Sequence, residues 1–378
     1  MNKMNDLNGI LSGVKVLDFS TLLPGPLATL FLAEAGAEVI KVERPIIGDE
    51  MRHKSPEIEG TNVSFALLNR GKKSIQIDLK DKKAKQRLTP LLKNTDVIVE
   101  QFRPGVMKRL GLDFLAIKKI NPKIIYVSIS GYGQDGPKSQ VAGHDLNYIS
   151  TTGLLSLSMG EKNNPVVPPA LIADIGAGSY PALINILFAL RKRDLEQKGS
   201  YIDVSMAEGL FPFMFWGLAK GFSNNGWPSN SDYYLSGGSP RYNIYKTKDD
   251  GFVAAAPIED RFWTKFCKVI DLPQKYTSEL IDNKKVIKRI KKIILQKNKK
   301  DWDIIFKKAD CCCCVVKSLQ EAIKDNHFKF RKIFERTVNF MKESPIPGLP
   351  VPISKQFLNS NMKDTFPILG QNNKDLID

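Results

Sequence analysis

Val14-Lys15-Val16-Leu17-Asp18-Phe19, then Leu23-Pro24-Gly25-Pro26, a helical run from Ala28 to Ala35 closed by Gly36, and finally Glu38-Val39-Ile40-Lys41-Val42-Glu43: this stretch spells strand, turn, helix, strand. Two apolar runs of strand length joined by a connection of that size predict a parallel pair with a right-handed crossover. The turn argues against one common use of such a unit. A dinucleotide fingerprint needs several glycines with free N–H groups, whereas Pro24-Gly25-Pro26 supplies a proline at the helix start. NAD binding is therefore disfavoured.

The same grammar continues downstream. Ser74 to Leu79, Asp96 to Glu100, Lys123 to Ser130 and Tyr201 to Ser205 read as strands, and Asp81 to Lys93 and Gly105 to Ile120 as the helical segments between them. Runs such as Ile124-Ile125-Tyr126-Val127 are apolar on both faces, as parallel strands covered by helices are. The expected fold class is α/β: a large Rossmann-like open-sheet domain over residues 1–223, with Met206 to Gly221 as an aromatic-rich helix carrying Trp216. At 224–238 the composition shifts to Asn, Ser, Gly and Pro, which marks a linker. A smaller α+β domain is expected over 239–325. It should open with a hairpin around Lys248-Asp249-Asp250, continue in a helix from Glu259 to Ile270, and end in a Cys-Val-Val strand and a helix from Ser318 to Asp325. Residues 326–378 show no strong period and are expected to return to the large domain or to a partner subunit.

Composition narrows the function classes. The chain has 378 residues, 42% of them hydrophobic, enough for a sizeable core. Its first residues lack the basic and apolar regions of a secretory signal, and the apolar runs Ala182–Leu190 and Leu210–Ala219 are shorter than the roughly 18 residues a membrane span requires. No membrane partner is expected. The five cysteines, four of them consecutive from Cys311 to Cys314, have no spacing that suits a disulfide framework or a zinc site, so a cytoplasmic location and no metal are expected. The net charge of +16 asks for an anionic partner. Its densest cluster, Lys284 to Lys300, is interleaved with Ile, Val and Leu at helical spacing, and no nucleic-acid-binding signature accompanies it. A polyanionic small ligand fits better than nucleic acid.

Two segments carry candidate chemistry. Gly143-His144-Asp145-Leu146-Asn147-Tyr148 and Ala173-Asp174-Ile175-Gly176-Ala177-Gly178 each frame an ionisable side chain with glycines that allow close backbone approach. A histidine and a carboxylate are the minimum kit for moving a proton on and off carbon. A helix opened by Gly176, Gly178 and Ser179 would favour an anion at its start, including ionised Asp174 or a developing oxyanion. Basic residues also follow three strand C-termini, where open α/β sheets bind ligands: Arg44, Lys80 and Arg103, with Arg109 close behind.

These motifs, with Leu22 to Pro26, Lys41 to Pro45, Glu100-Gln101-Phe102-Arg103-Pro104-Gly105-Val106 and Gly131-Tyr132-Gly133-Gln134, resemble the family III CoA-transferases and CoA-thioester racemases in the same order along the chain. The Gly-His-Asp-x-Asn-Tyr segment is similar to that of the racemase branch, and Pro257-Ile258-Glu259 to the segment that supplies a glutamate partner to its histidine. The Asp310 to Val315 segment lacks the proline usual in that branch. The resemblance implies an acyl-CoA thioester substrate, a fold of interlocked dimers with the active site at the subunit interface, and no cofactor beyond the substrate's own CoA. It implies that Arg44, Arg103 and Arg109 meet the nucleotide and phosphates of CoA, that Ile77, Asp78, Leu79 and Lys80 line the adenine side, and that Gln101, Phe102, Gly143, Asp145, Leu146, Asn147 and Tyr148 contribute to the substrate site. His144, oriented by Glu259, and Asp174 would then serve opposite faces of the thioester α-carbon. In the transferase branch Asp174 would instead act as a nucleophile.

Overall fold

A computed structural model describes residues 9–160, 164–224, 226–278 and 280–378. The chain forms two units. One comprises residues 1–152, 170–212 and 331–378, the other 153–169 and 213–330. The division thus falls at Pro212 instead of 223, and residues 153–169, expected in the large domain, cluster with the second unit.

The first unit is an open parallel sheet of six strands: β1 (Lys15–Asp18), β2 (Glu38–Glu43), β3 (Lys73–Gln76), β4 (Val97–Glu100), β5 (Ile125–Ser130) and β6 (Ser200–Ser205). Their spatial order is β3-β2-β1-β4-β5-β6, every pair parallel. This is the Rossmann-type order, which reverses direction between β1 and β4 and opens a crevice at their C-terminal ends. Leu17, Ile40, Ile75, Ile98 and Tyr126 fill one core beneath α3 (Ala84–Lys93), while Leu27, Leu30 and Phe31 of α1 (Pro24–Glu34) pack with Leu68 of α2 (Val63–Asn69) in another. Helix α1 starts at Pro24, four residues before the sequence reading, because proline is preorganised for the first helical turn. The expected helix over 105–120 is two short ones, Val106–Arg109 and Phe114–Lys118.

Ile172 to Glu196 is one continuous helix, α5 when α4 is Asp145–Thr151, and residues 175–179 form a π turn within it. The glycines read as a helix opening thus lie inside a helix. By length and composition α5 is apolar enough to cross a membrane, which corrects the expectation drawn from Ala182–Leu190 alone. Here it packs on α1, β5 and β6. Residues 331–378 also belong to this unit. Arg70 Nη2 donates to Leu349 O, and Gly71 N to Thr365 O. Asn372 and Asn373 lie along β3: Ser74 N donates to Asn372 Oδ1 (3.1 Å), Gln76 N to Asn373 Oδ1 (2.8 Å), and Asn372 N to Ser74 O (2.9 Å).

The second unit is an antiparallel sheet of β7 (Asn243–Lys246), β8 (Phe252–Ala255) and β9 (Cys313–Val315), order β9-β8-β7. Helices α6 (Asp260–Val269), α7 (Asn283–Ile294) and α8 (Lys299–Ala309) cover it with Trp263, Phe266, Ile290, Trp302 and Phe306. Pro212 prevents the single helix expected over 206–221. A 3-10 segment, Glu208–Met214, precedes the helix Phe215–Phe222. All five cysteines are free thiols.

Candidate active site

At the C-terminal edge of the first unit's sheet, His144 and Asp174 line the same cavity of about 440 Å³, within the usual size of a ligand pocket. Leu22 reaches it from the β1–α1 loop, Pro24 from the start of α1, Gln101, Phe102 and Arg103 from the loop after β4, and Gly143, Asn147 and Tyr148 from around α4. His144 occupies the N-cap of α4, where its backbone N–H donates to Asn147 Oδ1 (3.0 Å). Tyr148 Oη donates to Gly143 O (2.6 Å), tying the segment into a short loop. Two glycines admit the Tyr148 ring: a Cβ on Gly131 would lie 2.4 Å from its Cε1, and one on Gly143 2.8 Å.

Asp174 sits in the first turn of α5, just before the π turn, a deformation frequent at functional sites. Burial, and next the negative charge of Asp145, push its carboxyl up to about 6, while His144 pulls it down. It is therefore mostly ionised at neutral pH, as expected, yet close enough to neutrality to trade protons. Asp145 does not line the cavity. It is buried, and its Oδ1 accepts the N–H groups of Ala173 (2.7 Å) and Asp174 (3.0 Å), clamping the backbone that carries Asp174. Those two donors are thereby occupied, and Ile175 N donates to Leu171 O, so the start of α5 does not offer them to an oxyanion. Leu146 is 42% exposed and outside the lining. Glu259 lies in the second unit, at the N-cap of α6, where its carbonyl accepts from Phe262 N and Trp263 N.

A second cavity, about 350 Å³, collects Arg44, Ile77, Asp78, Leu79 and Lys80. It shares Phe102 with the first. A third, about 410 Å³, shares Leu79 and Lys80 with the second and adds Arg109 and Lys85. The three form a chain of adjoining spaces from Asp174 to Arg109, all along the strand C-termini. Arg44 there pairs with Glu50 (3.0 Å) and is half exposed.

Beneath the β1–α1 loop lies a group of buried charges that the sequence reading missed. Lys72 Nζ meets Asp18 Oδ2 (3.1 Å), and Lys41 Nζ meets Asp49 Oδ2 (2.9 Å), all four side chains fully buried. Lys41 also donates to Ser20 O (2.7 Å), and Leu22 N to Asp49 Oδ1 (3.1 Å), so these pairs fix the loop and hold Leu22 at φ 63°. Burial alone would raise Asp18; Lys72 and Lys41 outweigh it and hold the carboxyl at about 2.

The CoA-transferase family III profile matches residues 11–373, and the chain belongs to that family. Human alpha-methylacyl-CoA racemase is 31% identical over 97% of this chain and 92% of its own length. Human succinyl-CoA:glutarate CoA-transferase is 38% identical over 74% of this chain and 63% of its own. The crystal structure of a CAIB/BAIF family protein from Brucella suis superposes with a TM-score of 0.82, at 25% identity, covering 97% of this chain and 98% of that one. The family contains both racemases and CoA-transferases.

Proposed function

We propose that this enzyme interconverts the two configurations at the α-carbon of 2-methylacyl-CoA thioesters by two-base proton transfer. The observation that carries the proposal is that His144 and Asp174 line one cavity, which adjoins across Phe102 the basic spaces lined by Arg44, Lys80 and Arg109. A long ligand with a reacting thioester at one end and phosphates at the other suits that arrangement. One base removes the α-proton, the thioester carbonyl becomes an enolate, and the conjugate acid of the other base returns a proton to the opposite face. No cofactor is needed beyond the CoA of the substrate. In this proposal the protein is a homodimer working on lipid-derived acyl groups in the cytoplasm, and Glu259 orients His144 from the partner subunit. Support for the dimer comes from α5, whose Ile184, Leu187, Phe188 and Leu195 are 42–68% exposed.

A second reading is a transferase that moves CoA between carboxylic acids with Asp174 as nucleophile. Its support is the similarity to a succinyl-CoA:glutarate CoA-transferase and an Asp174 carboxylate that accepts no hydrogen bond among the described residues. Incubating one enantiomer of a 2-methylacyl-CoA with the enzyme in D2O separates the two. The racemase predicts α-deuterium and both configurations without an added acid. His144→Ala and Asp174→Ala should each abolish inversion but keep exchange, for opposite enantiomers. CoA transfer to a free acid with an untouched α-carbon would assign the transferase.

A further inference from the structure

On the far side of Arg103 from the cavity of His144 lies another, of about 370 Å³, that the proposed reaction does not use. Its wall is aromatic. The rings of Phe114, Tyr126 and Tyr201 stand 5.4–6.2 Å apart, centre to centre. Tyr126 is fully buried and spends its hydroxyl on Leu112 O (2.9 Å), and Lys118 Nζ stands 5.5 Å from the centre of the Phe114 ring, so a guest meets Tyr201 and the part of Phe114 that faces the cavity.

The floor of this cavity is polar. Glu100, 3% exposed, accepts the N–H of Phe102 (2.9 Å), and Tyr201 donates to Ser128 Oγ (3.4 Å). Burial raises the Glu100 carboxyl to about 7, so near neutrality it can give a hydrogen as well as take one. Gln134 is held by its backbone N–H to Asp203 Oδ2 (2.9 Å), while its side-chain Nε2 is buried without an acceptor among the described residues. A buried donor left unmade costs about 1–3 kcal/mol, and an acceptor brought by a ligand would satisfy it. Arg103 and Lys108, both exposed and neither in an ion pair among the described residues, also line the cavity, together with Asp113.

We propose that this cavity binds a small aromatic carboxylic acid bearing a hydroxyl on the ring opposite its carboxylate. The ring stacks on Phe114 and Tyr201, the hydroxyl oxygen accepts from Gln134 Nε2, and the carboxylate meets Arg103 and Lys108. Because Arg103 lines both cavities, the bound acid draws that cation away from the first.

The probe is 4-hydroxybenzoate, measured on the wild-type protein without acyl-CoA by calorimetry and by ligand-observed NMR. Such a readout is independent of the racemase or transferase reaction. Saturable binding is expected, with phenol and cyclohexanecarboxylate each weaker by about tenfold or more. Gln134→Leu and Phe114→Leu should each weaken 4-hydroxybenzoate by about tenfold while the melting temperature stays within a few degrees. A variant that unfolds is replaced by Tyr201→Leu, on the same wall. The proposal is overturned by any of three results: no saturation up to about 10 mM, equal binding of all three probes, or binding indifferent to these variants. It is also overturned if self-association of the chain closes the cavity to the probe.

Discussion

Asp174→Asn should make the protein more stable as it removes the reaction. Burial and Asp145 lift the Asp174 carboxyl from 3.8 to about 6, so the native state binds more protons than the unfolded chain between those values. The sign follows: the stabilising contribution of the protonated form is complete below pH 3.8 and is lost as pH rises through about 6. Roughly two pH units at 1.36 kcal/mol each set a ceiling of about 3 kcal/mol. The carboxyl is only partly buried, and solvent screening reduces this to about 1–2 kcal/mol. Asparagine keeps the shape and sheds the charge, and no hydrogen bond to the Asp174 carboxylate is lost among the described residues. Urea unfolding at several pH values tests this. The variant should exceed wild type by about 1–2 kcal/mol near pH 8, by about half as much near pH 5, and by almost nothing near pH 4. A gap independent of pH, or a variant less stable near pH 8, would refute the reasoning.

Further outcomes can be checked at Asp145 and Arg44. Asp145→Asn should move the acidic limb of the pH–rate profile for α-proton exchange to lower pH, because one of the two influences raising Asp174 disappears; Asp145→Ala should in addition lose about 2–4 kcal/mol of stability with its two buried hydrogen bonds. Arg44→Ala should raise KM for acyl-CoA by about 5–20-fold with little change in kcat, since a contact remote from the reacting carbon binds ground and transition states alike, and added salt should reproduce part of that loss in wild type.

The strands of the parallel sheet were legible because each is a short apolar run between polar helical segments, and the crossover rule then leaves few arrangements. The strand order itself comes from contacts that no local pattern contains. His144, Asp174, Arg44 and Lys80 stood out by residue type and position after strands. The clamp by Asp145 did not, because its partners are the backbone N–H groups of residues 28 and 29 positions away. Lys72 reads in sequence as one more surface lysine, and only the fold brings Asp18 beneath it, 54 residues off. Gly176, Gly178 and Ser179 read as the opening of a helix. In the folded chain Gly178 lets α5 approach Pro24 and Met206, each 3.2 Å from where a Cβ would stand, and Pro181, with no N–H to give the preceding turn, stands two residues beyond the π turn.

The asparagines laid along β3 have a consequence for solubility. β3 is the last strand on its side of the sheet, and an outermost strand with open N–H and C=O groups is a template on which another chain can polymerise. Asn372 and Asn373 occupy those groups mainly with side-chain amides, Asn373 Nδ2 also donating to Gln76 O (3.0 Å). A side-chain amide satisfies the strand without presenting a new ladder behind it. The tail is therefore a stopper: it ends the sheet, and a chain lacking it would offer β3 to its neighbours in concentrated solution.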